Sequence, residues 1–508
     1  MRKFLMAALL LIFFIPQIAS AEKIIIFHTN DIHARILNSD DSGKSIGLAE
    51  MAAAVKTVKK QNKITLWLDA GDTFHGMPRI NISKGENMIP LLNAAGYDAM
   101  APGNQDFNYG TDQLENISKK LKFPILAANV IRKSDGTRLF PAYKIFKYGK
   151  IKIGVFGLAT PETAYKNVPE KVKKVDFFNP VETAREMVKI LRPQCDIIIA
   201  VMHMGLDKSS EFTGERIARE TSGIDVIIDG HSHTKLPEGM TVNGTLIAQT
   251  ECFEHFLGQV TIDFEDGKII SKSAKLLSAE DVKKINPVPN KKIVDQISKI
   301  DKKNKKIFEV VVAHSDKFLT GERELVRRQE TELGNLCADA FRWKTGADIA
   351  FMNGAGIRAD LPEGNITRGK VSEIIPFGNS LQKAEISGKA VRQMLEHSVF
   401  GYPETFGGFL AVSGMSFTFD PSQPVGQRVQ DIFIGGEILD ENKIYTIGGV
   451  DFIFMGGNDF TMLKGLKMLG NYGTLDDALA EYLKEHGAAV TDFGRIKSLK
   501  DVEEKRAA

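Results

Sequence analysis

The chain has 508 residues, of which 43% are hydrophobic and 26% charged, with a formal net charge of +2. That length is too great for one core, so two or three domains are expected. The composition is that of an ordinary globular protein, and the near-neutral charge excludes a strong attraction to nucleic acid.

Residues 1–21 read as a signal peptide. Arg2 and Lys3 precede the apolar run Phe4–Ile15, Pro16 breaks it, and Ala19-Ser20-Ala21 is a small-x-small cleavage signal. Cleavage after Ala21 makes the mature protein periplasmic or secreted. No second long apolar stretch is present in the sequence, so no stable membrane anchor is expected. Three cysteines (Cys195, Cys252, Cys337) allow at most one disulfide within the chain.

From residue 23 to 275 strand-like and helix-like stretches alternate, the rhythm of a layered α/β domain. The spacing predicts helices over Gly47–Lys60, Met88–Ala95, Thr111–Leu121 and Val181–Leu191. Hairpins are predicted around Gly149-Lys150 and Glu265–Lys268. Residues 278–326 change character: Pro287 and Pro289 punctuate them, and the lysine-rich Lys291–Lys306 carries Ile293, Ile297 and Ile300 at helical spacing. This stretch reads as an interdomain connector with a solvated face. A second α/β unit spans 327–500. It has a helix predicted over Thr331–Trp343, strands over Ala347–Met352 and Tyr445–Val450, and a helix beginning near Ala384 and running through His397. Residues 501–508 are a charged tail.

The informative pattern lies at the strand ends. Ile24–Phe27 runs through His28-Thr29 into Asn30-Asp31-Ile32-His33, and Ile64–Leu68 into Asp69-Ala70-Gly71-Asp72. Tyr97–Pro102 runs into Gly103-Asn104-Gln105-Asp106. Ile197–Met202 ends at His203, and Val226–Ile228 at Asp229-Gly230-His231-Ser232-His233. Apolar β-branched runs of this kind are buried strands, and open α/β sheets gather ligands at strand carboxyl ends. Asp31, His33, Asp72, Asn104, His203, His231 and His233 together offer carboxylate, amide and imidazole donors without thiolate, a set suited to divalent Zn, Mn, Fe or Co. Seven donors exceed the needs of one ion and suit two, bridged by a carboxylate, an arrangement that neutralises a phosphate and activates water. Singly, Asp-x-His or a lone strand-end His is more often accidental; the joint order of motifs carries the reading.

On these motifs residues 23–275 resemble the calcineurin-like metallophosphoesterases, and the mature chain resembles the secreted two-domain 5′-nucleotidase family. The resemblance implies a four-layer α/β/β/α domain over 22–277, the connector over 278–326 and a second α/β nucleotide-binding domain over 327–500. It implies two divalent ions (Mn, Zn, Co, Fe or Mg), one held by Asp31, His33 and His233, the other by Asn104, His203 and His231, with Asp72 bridging. It implies phosphate contacts from Arg327 and Arg358, polar contacts from Asn353 and Asn379, and a base clamp of Phe377 and Phe452. Where the family usually has an Asp for the ribose hydroxyls, either Asn458 or Asp459 serves. The expected partner is a small-molecule nucleotide, and the expected state is a monomer or homodimer.

The chain departs from the family in Gly103-Asn104-Gln105-Asp106-Phe107-Asn108. The family's usual catalytic His is Gln105 here, and its orienting Asp is Asn108. A carboxamide donates a hydrogen bond but transfers no proton near pH 7. Losing a general acid costs about 10²–10⁴-fold in rate. His75 is the nearest substitute acid by sequence. The expected activity is release of phosphate from nucleoside 5′-monophosphates. The alternatives are a 2′,3′-cyclic-nucleotide phosphodiesterase, a UDP-sugar pyrophosphatase, or a nucleotide-binding protein with weakened catalysis.

Overall fold

The computed structural model describes residues 21–38, 45–167, 169–207, 210–489 and 492–499. The expected signal peptide and charged tail lie outside them, apart from Ala21. Two large sheets build the N-terminal domain, beside a two-stranded pair of Val130–Arg132 with Val175–Phe177. The first runs in the order Lys268–Leu277, Leu257–Glu265, Glu22–Thr29, Ile64–Asp69, Ala99–Met100. The second runs Met240–Val242, Thr245–Ala248, Val226–Ile228, Ile197–His203, Ile151–Ala159, Tyr143–Tyr148.

Side-chain alternation explains the layering. Ile24 and Ile26 point between the sheets, with Leu66 and Leu68, against Ile153, Val155, Ile199 and Val201. Ile25, Phe27 and Trp67 point the other way, onto Met51, Ala52 and Val55 of the helix Leu48–Gln61. The second sheet repeats this: Phe156, Ile198 and Met202 pack on Ala184, Met187 and Leu191 of the helix Pro180–Leu191. A strand buried on both faces must be apolar at every position, hence the unbroken runs. The result is the four-layer α/β/β/α order.

Glu22–Thr29, Ile64–Asp69 and Ala99–Met100 pair in parallel, as do Ile151–Ala159, Ile197–His203 and Val226–Ile228. Within each sheet the motif-bearing ends therefore emerge along one edge.

The helix Lys291–Phe308 lies against this domain. Ile293, Ile300 and Asn304 are buried, and Asn304 Nδ2 donates to the Arg79 carbonyl at 2.8 Å. Its lysines lie on the outer face. Val311–Ser315, within the stretch assigned by sequence to the connector, pairs with Gly364–Thr367 of the next unit.

The C-terminal domain holds a five-stranded sheet in the order Leu410–Ser413, Ile349–Asn353, Ile444–Val450, Ser380–Ser387, Met468–Thr474, and a four-stranded sheet beside it. One expectation fails here. Ala384–Ser387 completes a strand and the helix begins at Gly388. Ala384 and Ile386 alternate into the core, and Ser387 caps the helix by accepting the Ala390 N–H. All three cysteines are free thiols and buried.

Candidate metal centre and adjoining cavity

The strand-end loops bend sharply. Asp31, His33, Asp72, His231 and His233 all adopt left-handed backbone, with φ of 50°, 45°, 56°, 78° and 51°. Non-glycine residues enter that region at a cost, so neighbouring contacts must hold them there. The Asp31 N–H donates to the Gly71 carbonyl and the His33 N–H to the Asp72 carbonyl, each at 2.9 Å. Asp106 accepts the N–H groups of Asp72, Thr73, Phe74 and Gly103, and Asp229 those of Met204, Gly205 and Gly230. Gly103 is required by space: a Cβ there would lie 2.1 Å from Asp72 Oδ1.

The donors converge. Asp31 Oδ1 lies 3.3 Å from His233 Nε2, 3.7 Å from His203 Nε2 and 3.9 Å from His33 Nε2, while Asp72 Oδ2 is 3.4 Å from His203 Nε2. Two groups of ligand atoms result, Asp31–His33–His233 and Asp31–Asp72–His203, and they share Asp31. His231 stands beside them, its ring edge-on to His203 at 5.0 Å between centroids. The electrostatics favour a cation. Burial opposes charge on His203, yet the Asp72 and Asp31 carboxylates push its pKa up to about 10. Burial alone would raise Asp72, but His203 and the other imidazoles hold it below the usual carboxylate range. Buried His33 goes down, to about 3. The Asn104 Oδ1 and His203 Nε2 atoms are buried with no hydrogen-bond partner among the described residues. Such atoms fit the divalent ions that the donor set selects.

A cavity of about 1410 Å³ opens above the cluster and runs between the domains. His33, Asp72, Asn104, Gln105, His231 and His233 line one side; Asp31 and His203 lie buried beneath. Arg327, Arg358, Asn353, Asn379, Phe377, Phe452 and Asn458 line the other. The exposed Asp459 does not line it, so the structure brings Asn458 to the cavity in preference to Asp459. Burial, with the Arg323 and Arg358 cations, lowers the Arg327 pKa. The domains touch where Gly378 meets Gly76, with no room for a Cβ, and where Arg35 Nη2 donates to the Phe377 carbonyl at 3.2 Å.

The departures from the family pattern have definite places. Gln105 lines the cavity, and its Oε1 lies 3.2 Å from His75 Nδ1. His75 is buried behind it, outside the lining, and burial lowers its pKa to about 4. It therefore lies outside reach of a molecule in the cavity. Asn108 also stands back from the cavity, accepting the Asn167 Nδ2 donor at 2.9 Å.

Arg323, Glu162, Lys166 and Asn167 are among the cavity-side or supporting residues that escaped the sequence reading. Arg323 lines the cavity with Arg327, and its spacing, four residues ahead of Arg327, was a usable signal. Glu162 and Lys166 contact His231 Nε2 at 2.9 Å each. They come after the strand Ile151–Ala159, whose Thr-Pro-Glu ending carries none of the Asp, Asn or His marks of the other strand ends.

Residues 24–235 match the family model of the calcineurin-like phosphoesterases, and residues 311–465 that of the 5′-nucleotidase C-terminal domain. A snake venom 5′-nucleotidase of Naja atra is 30% identical, over 91% of this chain and 96% of its own. The trifunctional nucleotide phosphoesterase protein YfkN of Bacillus subtilis is also 30% identical, over 93% of this chain, which spans only 35% of that longer protein. The crystal structure of a 5′-nucleotidase precursor from Thermus thermophilus is 30% identical and superposes with a TM-score of 0.58, covering 94% of this chain and 99% of that one. The chain belongs to the 5′-nucleotidase family, a calcineurin-like phosphoesterase domain followed by a 5′-nucleotidase C-terminal domain, and is a metal-dependent phosphoric-ester hydrolase.

Proposed function

We propose that this protein is an extracytoplasmic, two-metal phosphohydrolase that releases phosphate from nucleoside 5′-monophosphates. One observation carries the reading: a single cavity joins the carboxylate–imidazole cluster of one domain to arginines and phenylalanines of the other.

Asp31, His33, Asp72, Asn104, His203, His231 and His233 would hold two divalent ions, which when bound would supply Lewis-acid polarisation of the phosphate and acidify a water. The chain's own residues do the rest. Arg327 and Arg358, with Arg323 beside them, bind the phosphate oxygens with planar forks. Phe377 and Phe452 seat the base, Asn353 and Asn379 orient the phosphate end, and Asn458 faces the sugar. With its Oε1 held by His75, Gln105 keeps its amide N–H groups for a phosphoryl oxygen. It delivers no proton, so the leaving group departs with weaker assistance. Substrates with better leaving groups suffer least. That favours a second reading, cleavage of 2′,3′-cyclic nucleotides or UDP-sugars. The Bacillus subtilis relative, named a trifunctional nucleotide phosphoesterase, supports a broad substrate range. The pattern of residues 1–21 supports export, which N-terminal sequencing of protein from the native cell tests directly.

The deciding experiment measures phosphate release from AMP, beside cleavage of UDP-glucose and 2′,3′-cyclic AMP, with Mn²⁺ or Co²⁺. Gln105→His is assayed in parallel. Native turnover of AMP is the expected result, with a gain of about 10²-fold or more in Gln105→His. Cleavage of only the other two substrates selects the second reading. Tight nucleotide binding without turnover in either protein would overturn the enzymatic reading of the site.

A further inference from the structure

The geometry points to the loop 160–167 as the element that positions the second of the two ions: Glu162 through His231, and Asn167 through Asn104. The inference rests on the two-metal reading above.

The loop is where it must be. The strand Ile151–Ala159 runs parallel to Ile197–His203, with Ala159 opposite His203 in the register. The residues after Ala159 therefore emerge at the edge where His203 ends. The loop is also tied into the fold. Thr163 Oγ1 donates to the Thr160 carbonyl at 2.7 Å, and Thr163 and Asn167 are almost wholly buried.

Glu162 Oε2 lies 2.9 Å from His231 Nε2. An ionised carboxylate has no proton to give, so the imidazole donates its Nε2–H. The proton's placement on Nε2 leaves the Nδ1 lone pair for a cation. A carboxylate behind a ligating imidazole fixes both its tautomer and its ring orientation. Lys166, one helical turn on, sets its Nζ 2.5 Å from the same Oε2 and keeps Glu162 ionised and turned to the ring. Its Nζ also lies 2.9 Å from His231 Nε2; an ammonium has no lone pair to accept a proton, so with Nε2–H given to Glu162 the lysine is bonded to the carboxylate and not to the ring. Asn167 works on the other ligand. Its Nδ2 donates to the Asn104 carbonyl at 2.9 Å and to Asn108 Oδ1 at 2.9 Å. This pins the backbone of a residue whose own Oδ1 is buried and has no hydrogen-bond partner among the described residues. The contacts of Glu162, held by Lys166, thus converge on the His231 ring, and those of Asn167 on the Asn104 turn, the two residues assigned with His203 to the second ion; the His231 backbone N–H donates separately to Asp31 Oδ2 at 2.9 Å. The side-chain support described here falls on two ligands of one ion, so its loss should be felt chiefly at that ion.

The test titrates Co²⁺ into chelator-stripped whole protein, following heat and the visible absorption of bound cobalt. Wild type, Glu162→Ala and Glu162→Gln are compared, with circular dichroism as a check on folding. Wild type is expected to bind two ions. Glu162→Ala should weaken the second by about 10–100-fold and leave the first unchanged. Glu162→Gln, whose amide oxygen still accepts the Nε2–H, should recover most of the loss. A second ion bound by Glu162→Ala as tightly as by wild type overturns the positioning role. So does an equal loss at both sites in a folded variant, or a Gln variant no better than Ala. Fewer than two ions on wild type sinks the two-metal reading itself, a distinct result.

Discussion

His28 shows at the scale of one residue what burial alone does. It sits in the first strand with neither ring nitrogen hydrogen-bonded among the described residues, and burial lowers its pKa from 6.5 to about 3. Below pH 6.5 the unfolded chain takes up a proton that the folded chain refuses, so stability falls with pH through this group. Between about pH 6.5 and 4 the loss is about 3 kcal/mol. His28→Leu is expected to flatten that part of the acid limb, seen as a smaller drop in urea midpoint than wild type shows between the two pH values. Parallel midpoints in the two proteins would remove His28 as the cause. The same scale explains what the sequence could and could not disclose about the site. Asp31, His33, Asp72, His203 and His233 were legible because each ends an apolar run. His75 looked like a substitute acid from its neighbours in the chain, but burial behind Gln105 is a property of the fold. The choice between Asn458 and Asp459 was equally hidden, since adjacent residues on a turn face different ways.

At the scale of elements the alternation of Ile24–Ile25–Ile26–Phe27 into two cores was implicit in the unbroken apolar run, and so was the layered fold. The boundary at Ser387–Gly388 was misread because Ala384–Ser387 lacks strong β character; pairing with Ile444–Val450 decides it. The loop 160–167 was missed because glutamate and lysine after a strand read as solvated surface, whereas here the glutamate is buried. Gly103 gives the clearest element-scale prediction. Gly103→Ala must displace the Asp72 carboxylate or the 103–106 turn. The variant is expected to lose bound metal and at least about 10²-fold of its phosphatase activity, as misplacement by about 1 Å can do. Elemental analysis beside the activity assay checks it, and a variant with full metal content and full rate would show that the turn yields.

At the scale of the molecule the cavity needs both domains at once. Arg35 spans the gap: its guanidinium stacks on the Phe253 ring at 3.7 Å and donates to the Phe377 carbonyl. It comes two residues after His33, so the metal loop and the aromatic wall are joined through a few bonds. Arg35→Ala is expected to raise KM for AMP by roughly tenfold, the worth of one hydrogen bond from a charged donor, with metal content unchanged. An unaltered KM would show that other contacts set the domain spacing.

The candidate ligands come from both sheets of the first domain, Asp31, Asp72 and Asn104 from one and His203, His231 and His233 from the other. Ions seated among them therefore stitch the sandwich shut along its open rim. Every ligand favouring only the folded form adds stability that grows with the logarithm of its free concentration. The melting temperature of this protein should then track the free metal around it, and a chelator should expose the rim to protease before the opposite edge. In an environment poor in transition metals the protein would lose endurance along with rate, so its lifetime would report metal supply.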